Sequence, residues 1–233
     1  MTSTPANTGL SLQAVLFDMD GTLLDSEKIW DIALDDLAEW LGGRLSRPAR
    51  QSMVGSSLAR SIGIVHDDLG VHADPASSAG YLTTRAGELF RTNLTWKPGA
   101  RELLVAVHAA GIPAALVTST QRRLTETALD VLGREFFATS VCGDEVRHAK
   151  PHPEPYLTAA TRLGAVPARC VAIEDSLLGI ASAEAAGCVT VAVPSEVVID
   201  PAPGRTVVES LVKLDVAGLD LLVRSRHRNS LAG

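Results

Sequence analysis

Short, nearly unbroken apolar runs recur along the chain at Ala14–Phe17, Ala114–Val117, Ser140–Cys142, Val171–Ile173, Val189–Val193 and Thr206–Val208. Runs of this length without polar alternation are what strands look like when helices cover both faces of a parallel sheet. Helical spacing fills the intervals: Arg101–Ala110 stops at Gly111, Pro153–Leu163 at Gly164, and Ser176–Ala186 at Gly187. Glycine is the favoured residue just past a helix end, because it enters the left-handed region without a Cβ clash. The alternation predicts an α/β fold built on a parallel sheet.

From about Lys28 to Leu94 the alternation stops and only helical periodicity remains. Ile29, Ala33, Leu34, Leu37 and Leu41 form one apolar stripe, ended by Gly42-Gly43. Leu58, Ile62 and Val65 begin another that ends near Gly70, and Asp74-Pro75 reads as a cap and first-turn proline for a third carrying Leu82, Ala86, Leu89 and Phe90. A block this long is no loop, and it predicts a small helical domain inserted after the first strand.

Length and composition narrow the class. A chain of 233 residues buries a substantial core, as one large domain or as a main domain with an insertion. With 46% hydrophobic and 21% charged residues it is ordinary for a globular protein. A formal charge of −6 argues against a nucleic-acid partner. Cys142, Cys170 and Cys188 have no metal-like spacing and read as reduced core thiols. The start, "MTSTPANTGLS", lacks the cationic and apolar regions of a secretory signal, and no run approaches the ~20 apolar residues of a membrane span. The expectation is a cytoplasmic protein, a monomer or dimer, with disordered ends before Leu10 and after Arg224. The basic "RSRHR" near the end then reads as a solvated tail.

The chemistry collects where strands stop, which is where open α/β sheets bind ligands. "AVLFDMDGTLLDSE" carries Asp18 and Asp20; "ALVTSTQ" carries Thr118 and Ser119; "GDEVRHAKPHPEPY" places Lys150 in a proline-rich loop; "VAIEDSLLGI" ends in Glu174 and Asp175. Each has a plainer reading alone: a turn or calcium-like loop, two helix caps, a surface lysine. Together, four carboxylates and one lysine in a crevice repel one another strongly. Two remedies exist: a hard divalent cation such as Mg²⁺, or a proton on one carboxylate, which makes it a general acid. Thr118, Ser119 and nearby helix-start amides offer donors for phosphate. An attacking carboxylate with a metal, a lysine and amide donors around it describes phosphoryl transfer through an aspartyl-phosphate.

These four stretches, in this order, resemble the motifs of the haloacid dehalogenase-like hydrolases, and the helical block resembles the cap of the subgroup containing β-phosphoglucomutase and many sugar-phosphate phosphatases. The resemblance covers about Leu12 to Val223. It implies a three-layer Rossmann-like core of residues 11–27 and 96–224, with a helical cap of residues 28–95. It implies Asp18 as nucleophile and Asp20 as acid/base. Mg²⁺ would be held by Asp18, the backbone oxygen of Asp20 and Asp175, with Glu174 direct or through water; Thr118, Ser119 and Lys150 would bind phosphate. Asp20 and the Glu174-Asp175 pair argue against dehalogenation, which dispenses with metal. The mutase pattern has a histidine where this chain has Trp30, a cap lysine and arginine where it has Val54 and Leu58, and a lysine where it has Gln121. Trp30 reads either as a hinge aromatic or as a substrate contact; in the cap loop Met53 to Arg60, Gly55 and Arg60 are the candidates to face substrate. The expectation is a Mg²⁺-dependent phosphatase of a small phosphorylated metabolite, with a phosphohexomutase and a catalytically silent partner-binding relative as alternatives.

Overall fold

The computed structural model describes residues 10–195 and 197–231. Six strands form one sheet: β1 (Ala14–Phe17), β2 (Ala114–Val117), β3 (Thr139–Val141), β4 (Cys170–Glu174), β5 (Val189–Ala192) and β6 (Arg205–Val207). Their order is β3-β2-β1-β4-β5-β6 and every pairing is parallel. β1 is central: Val15 faces Ala114 of β2 on one side and Val171 of β4 on the other. The chain runs out from β1 in both directions, so a crevice opens at the carboxyl ends of β1, β2 and β4.

The alternation of strand side chains divides the core into two layers. On one face Val15, Phe17, Leu116, Val171, Ile173 and Val191 pack against α5 (Ala100–Ala109), α6 (Arg122–Leu132) and α9 (Val216–Leu231), through residues such as Leu104, Leu129 and Leu219. On the other, Ala14, Leu16, Ala115, Val117 and Ala172 meet Tyr156, Ala159 and Ala160 of α7 (Glu154–Arg162) and Ala183 of α8 (Leu177–Ala185). Helix, sheet and helix make three layers. Cys142, Cys170 and Cys188 are free and buried, and burial pushes their thiols up to about 11, 12 and 12, as inert core residues require.

The helical cap comprises α1 (Glu27–Trp40), α2 (Arg47–Met53), α3 (Leu58–Leu69) and α4 (Pro75–Asn93). Leu37, Val65, Leu82, Ala86 and Phe90 are buried, and they belong to the same apolar cluster as the β1 face. Trp40 stacks on Tyr81 at 5.1 Å, and Arg85 bonds Asp36 at 2.6 Å, both between α1 and α4. The two chain crossings into the cap are pinned together: Leu24 bridges Trp96, Asp25 N–H donates to Thr95 O, and Lys97 N–H donates to Leu23 O.

Two elements differ from what the periodicity suggests. α2 goes unseen because it is too short for a stripe, burying only Ala49 and Met53. Its start is chemical instead: Ser46 accepts from Ala49 N–H, and Pro48 sits in the first turn. Apolar spacing also ends near Arg224, yet α9 runs to Leu231, correcting the expected disordered tail over that stretch. The Arg226 guanidinium donates to Cys188 O and Arg224 pairs with Asp220, so part of the basic run is tied down. Residues 1–9 and 232–233, expected to be disordered, lie outside the described residues. No helix of the described residues is long and apolar enough to cross a membrane.

Asp220 is 5% exposed and holds the start of the chain to α9, accepting from Ser11 N–H at 2.6 Å and Leu12 N–H at 2.9 Å. Asp220→Ala leaves those amides without their acceptor and should cost about 1–3 kcal/mol of unfolding free energy. A denaturant midpoint unchanged from native would show that this contact does not dock the helix.

Candidate functional site

Asp18 follows β1 directly and is buried, because the backbone is still held by the sheet: its N–H donates to Ile173 O of β4. Glu174 closes β4, and Asp175 follows it. Lys150 comes from the loop after β3 and reaches under the sheet ends, 5% exposed. Its ammonium donates to Asp18 Oδ1 at 2.7 Å, Glu174 Oε1 at 2.6 Å and Val117 O at 2.9 Å. All three donors of a lysine are thus used. Glu174 is equally committed: Tyr156 O–H donates to Oε1 at 2.7 Å, and Ser176 O–H donates to Oε2 at 3.1 Å.

One cation among these acids leaves a deficit. Burial, then Glu174, raises Asp18, which Lys150 only partly opposes, and its carboxyl is pushed up to about 8. Burial, then Asp18 and Glu174, holds Asp175 well above the usual carboxylate range. Burial works to lower the Lys150 ammonium, but Asp18 and Glu174 overcome it, so it lies above its ordinary value and stays charged. The cluster asks for more positive charge than the chain supplies.

The residues fit a hard divalent cation. One oxygen each from Asp18, Glu174 and Asp175 lies within 4.8 Å of the others. Glu27, at the start of α1, contributes a buried Oε1 with no hydrogen-bond partner. It lies beside Asp175, where a Cβ on Gly21 would meet Asp175 Oδ2 at 2.1 Å and Glu27 Oε1 at 2.8 Å. Gly21 also has φ +78°, so only glycine suits this bend on both counts. Asp175 accepts a long bond from Thr22 O–H (3.3 Å) and is less committed than Glu174. An all-oxygen set with an unsatisfied carboxylate oxygen suits Mg²⁺.

Asp20 points elsewhere. Its Oδ1 accepts from Ser26 O–H at 2.6 Å and the Trp30 indole N–H at 2.9 Å. Its Oδ2 accepts from Thr120 O–H at 2.8 Å and Thr118 O–H at 3.2 Å. Thr118 is buried and also accepts from Thr120 N–H, so its hydroxyl orders the loop after β2. Ser119 and Thr120 line the cleft. The Ser119 hydroxyl donates to Gly55 O at 3.2 Å and ties this loop to the cap.

A cleft runs from these carboxylates between core and cap. Asp18, Asp20, Asp175, Lys150, Ser119, Trp30 and Gly55 of the sequence-predicted set line it. Gly55 has φ +70°, and a Cβ there would strike Ser176 Oγ at 2.5 Å, so the cap loop rests against the loop after β4. Glu174 sits behind the wall. Arg60 is exposed on α3 and does not line the cleft. The cap cation that does is Arg50 of α2, paired to Asp31 at 3.2 Å and to Asp35. Sequence reasoning missed Arg50, Glu27, Ser26, Thr120 and Tyr156. Thr120, Glu27, Ser26 and Tyr156 all lie within the quoted motif stretches; Tyr156 was hidden because its hydroxyl acts on Glu174, 18 residues away, and Arg50 lies outside every motif.

A family model described as haloacid dehalogenase-like hydrolase matches residues 12–187. A phosphorylated carbohydrates phosphatase of Thermotoga maritima is 33% identical over 76% of this chain and 82% of its own. Hexitol phosphatase B of Escherichia coli K12 is 30% identical over 81% of this chain and 86% of its own. Among solved structures, CbbY from Rhodobacter sphaeroides in complex with phosphate superposes with a TM-score of 0.79 at 27% identity, covering 90% of this chain and 99% of that one. A family model over most of the chain and relatives at this identity and coverage place it plainly: this chain belongs to the haloacid dehalogenase-like hydrolases.

Proposed function

We propose that the chain is a Mg²⁺-dependent phosphatase of a small phosphorylated metabolite, with a sugar or polyol phosphate as substrate and an aspartyl-phosphate on Asp18. The observation that carries the reading is the Lys150 ammonium 2.7 Å from Asp18 Oδ1 at the floor of a cleft that also receives Asp20. Relatives that act on phosphorylated carbohydrates and hexitol phosphates support the same class.

Asp18 attacks phosphorus, and the bond from phosphorus to the substrate oxygen breaks. Asp20 gives its proton to that departing oxygen, then takes one from the water that attacks the aspartyl-phosphate and frees Asp18. Lys150, charged beside Asp18, offsets the charge that spreads over the phosphoryl oxygens, and Ser119 and Thr120 line the cleft where those oxygens would lie. Asp18, the backbone oxygen of Asp20 and Asp175 would hold Mg²⁺, with Glu174 reaching it through a water. Bound there, the ion supplies charge neutralisation for nucleophile and phosphoryl group together.

Selectivity falls to the far end of the cleft. Asp31 cancels the single cation there, Arg50, and the remaining surface is Ser56, Ser61, Thr83 and Gln121 among Leu34, Met53, Leu58, Leu82 and Leu124. That lining suits hydroxyls on a neutral chain. A mutase must grip a second phosphate while a bisphosphate reorients, which calls for unpaired cations on the cap. Val54, Leu58 and Gln121 bring none, and Arg60 is outside the cleft.

Incubation with a panel of phosphate monoesters and Mg²⁺ should release inorganic phosphate, fastest from sugar and hexitol phosphates, with no release in EDTA or from Asp18→Asn. β-Glucose 1-phosphate with a trace of the bisphosphate should give phosphate; catalytic accumulation of glucose 6-phosphate without it would make the protein a mutase. Lys150→Ala should lower kcat/KM by roughly ten- to a thousand-fold, the range for losing one electrostatic stabiliser. A change under about twofold would remove Lys150 from the phosphate site.

Stability should carry the charge deficit. Asp18 ionises near 3.8 unfolded but keeps its proton up to about 8 when folded and metal-free. The folded state therefore binds the extra proton between those values, and stability is lost as pH rises across that window. In EDTA, the melting-temperature advantage of Asp18→Asn over native should grow from about pH 5 to about pH 8, and Mg²⁺ should erase it. A constant difference would show that Asp18 is not buried as a charge-strained acid.

A further inference from the structure

We propose that His148, His152 and Glu154 form a second metal site, outside the catalytic crevice, which takes a borderline divalent ion of the Zn²⁺ class. One imidazole nitrogen from each histidine and one oxygen of Glu154 lie within 4.8 Å of one another. The two rings lie 4.5 Å apart between centroids, tilted by 32°. None of the three residues lines the cleft between core and cap. His152 and Glu154 line a separate groove along α7, with Leu157, Thr158 and Thr161.

The carboxylate is fixed before any ion arrives. Glu154 opens α7, and its side chain turns back to accept from Arg147 N–H at 2.8 Å and His148 N–H at 3.0 Å. His148 Nδ1 lies 2.8 Å from Glu154 Oε2. An ionised carboxylate only accepts, so a proton of the imidazole sits between these two atoms. A metal can replace it: two ligands each about 2.0–2.2 Å from one ion lie roughly 3 Å apart, the spacing already present. His152 is held close by its own bonds, since Nδ1 accepts from Glu154 N–H at 3.2 Å and its carbonyl accepts from Ser182 O–H at 2.6 Å. A turn of this exposed ring brings a nitrogen to the ion. Capping explains Glu154 and His148 but gives no part to a second imidazole beside them. Two imidazoles and a carboxylate suit Zn²⁺, Ni²⁺ or Cu²⁺, whereas Mg²⁺ binds through oxygen. Lys150 lies between the two histidines in sequence, so the ion would close the loop that carries this lysine to Asp18.

Zn²⁺ titrated into the full chain, with Mg²⁺ in excess, should shift the ring-nitrogen NMR signals of His148 and His152. Those of His66, His72 and His108 should stay in place. Calorimetry should find a site with a dissociation constant at or below about 10 μM. His148→Gln and His152→Gln, both at exposed positions, should each weaken that site by about ten- to a hundredfold. Asp18→Asn, which removes a crevice carboxylate, should leave its affinity within about twofold. Weaker binding in the native chain, or histidine signals that do not move, overturns the proposal. So does a Zn²⁺ affinity that survives both histidine substitutions and falls in Asp18→Asn, which would put the ion in the crevice.

Discussion

Everything at this site depends on a single buried ammonium. Lys150 touches Asp18, Glu174 and the last carbonyl of β2, and so ties the loop after β3 to the ends of β1, β2 and β4. Removing one partner of such a buried group leaves an uncompensated charge, which typically costs about 3–5 kcal/mol. The lysine does not balance the acids it holds, and Asp18 and Asp175 pay in raised affinity for protons. A fold that sought stability alone would fill this crevice with apolar side chains. The residual negative charge is what a divalent cation and a phosphoryl group, brought together, would complete.

The cap is attached where this imbalance is greatest. Gly55 lies against Ser176, Ser119 donates to Gly55 O, and Lys97 reaches Ser195 at 2.7 Å and Glu27 at 3.5 Å. Apolar packing joins cap and core as well: Leu37, Leu82, Ala86 and Phe90 belong to the same buried cluster as Phe17 of β1 and Leu124 of α6. The cap's interior is thus continuous with one face of the core, and the polar contacts add direction to that packing.

The fold was legible because its signals are local. β1 and β2 begin and end where their apolar runs do, and the other strands shift by about a residue. Glycines at 111, 164 and 187 mark the ends of α5, α7 and α8 through their positive φ. Asp18, Lys150, Glu174 and Asp175 stood out as charges at strand ends. Tyr156 did not, because an aromatic in an amphipathic helix looks like core until its hydroxyl is seen on Glu174. Arg60 drew attention as the nearest cation to the cap loop in sequence, but the helical turn carries it outward, and Arg50, from a helix too short to show a stripe, takes the place in the cleft. Thr118, expected to face phosphate, spends its hydroxyl on Asp20. What escaped in each case was the direction of a side chain, which is decided by contacts remote in sequence.

Helix α1 shows how chemistry and selectivity come to share one element. Ile29, Ala33 and Leu37 recur at helical spacing and face the interior of the cap. Glu27, Trp30, Asp31 and Leu34 recur at the neighbouring spacing and line the cleft from one end to the other. Along that second stripe, Glu27 lies beside Asp175, Trp30 bonds Asp20, Asp31 neutralises Arg50, and Leu34 closes the far wall. Residues on one face of a helix cannot move independently of one another. The far wall of the cleft at Asp31 and Leu34 is therefore joined, through about two turns of rigid backbone, to the first turn of the same helix, which bonds Asp20 beside the strand-end carboxylates.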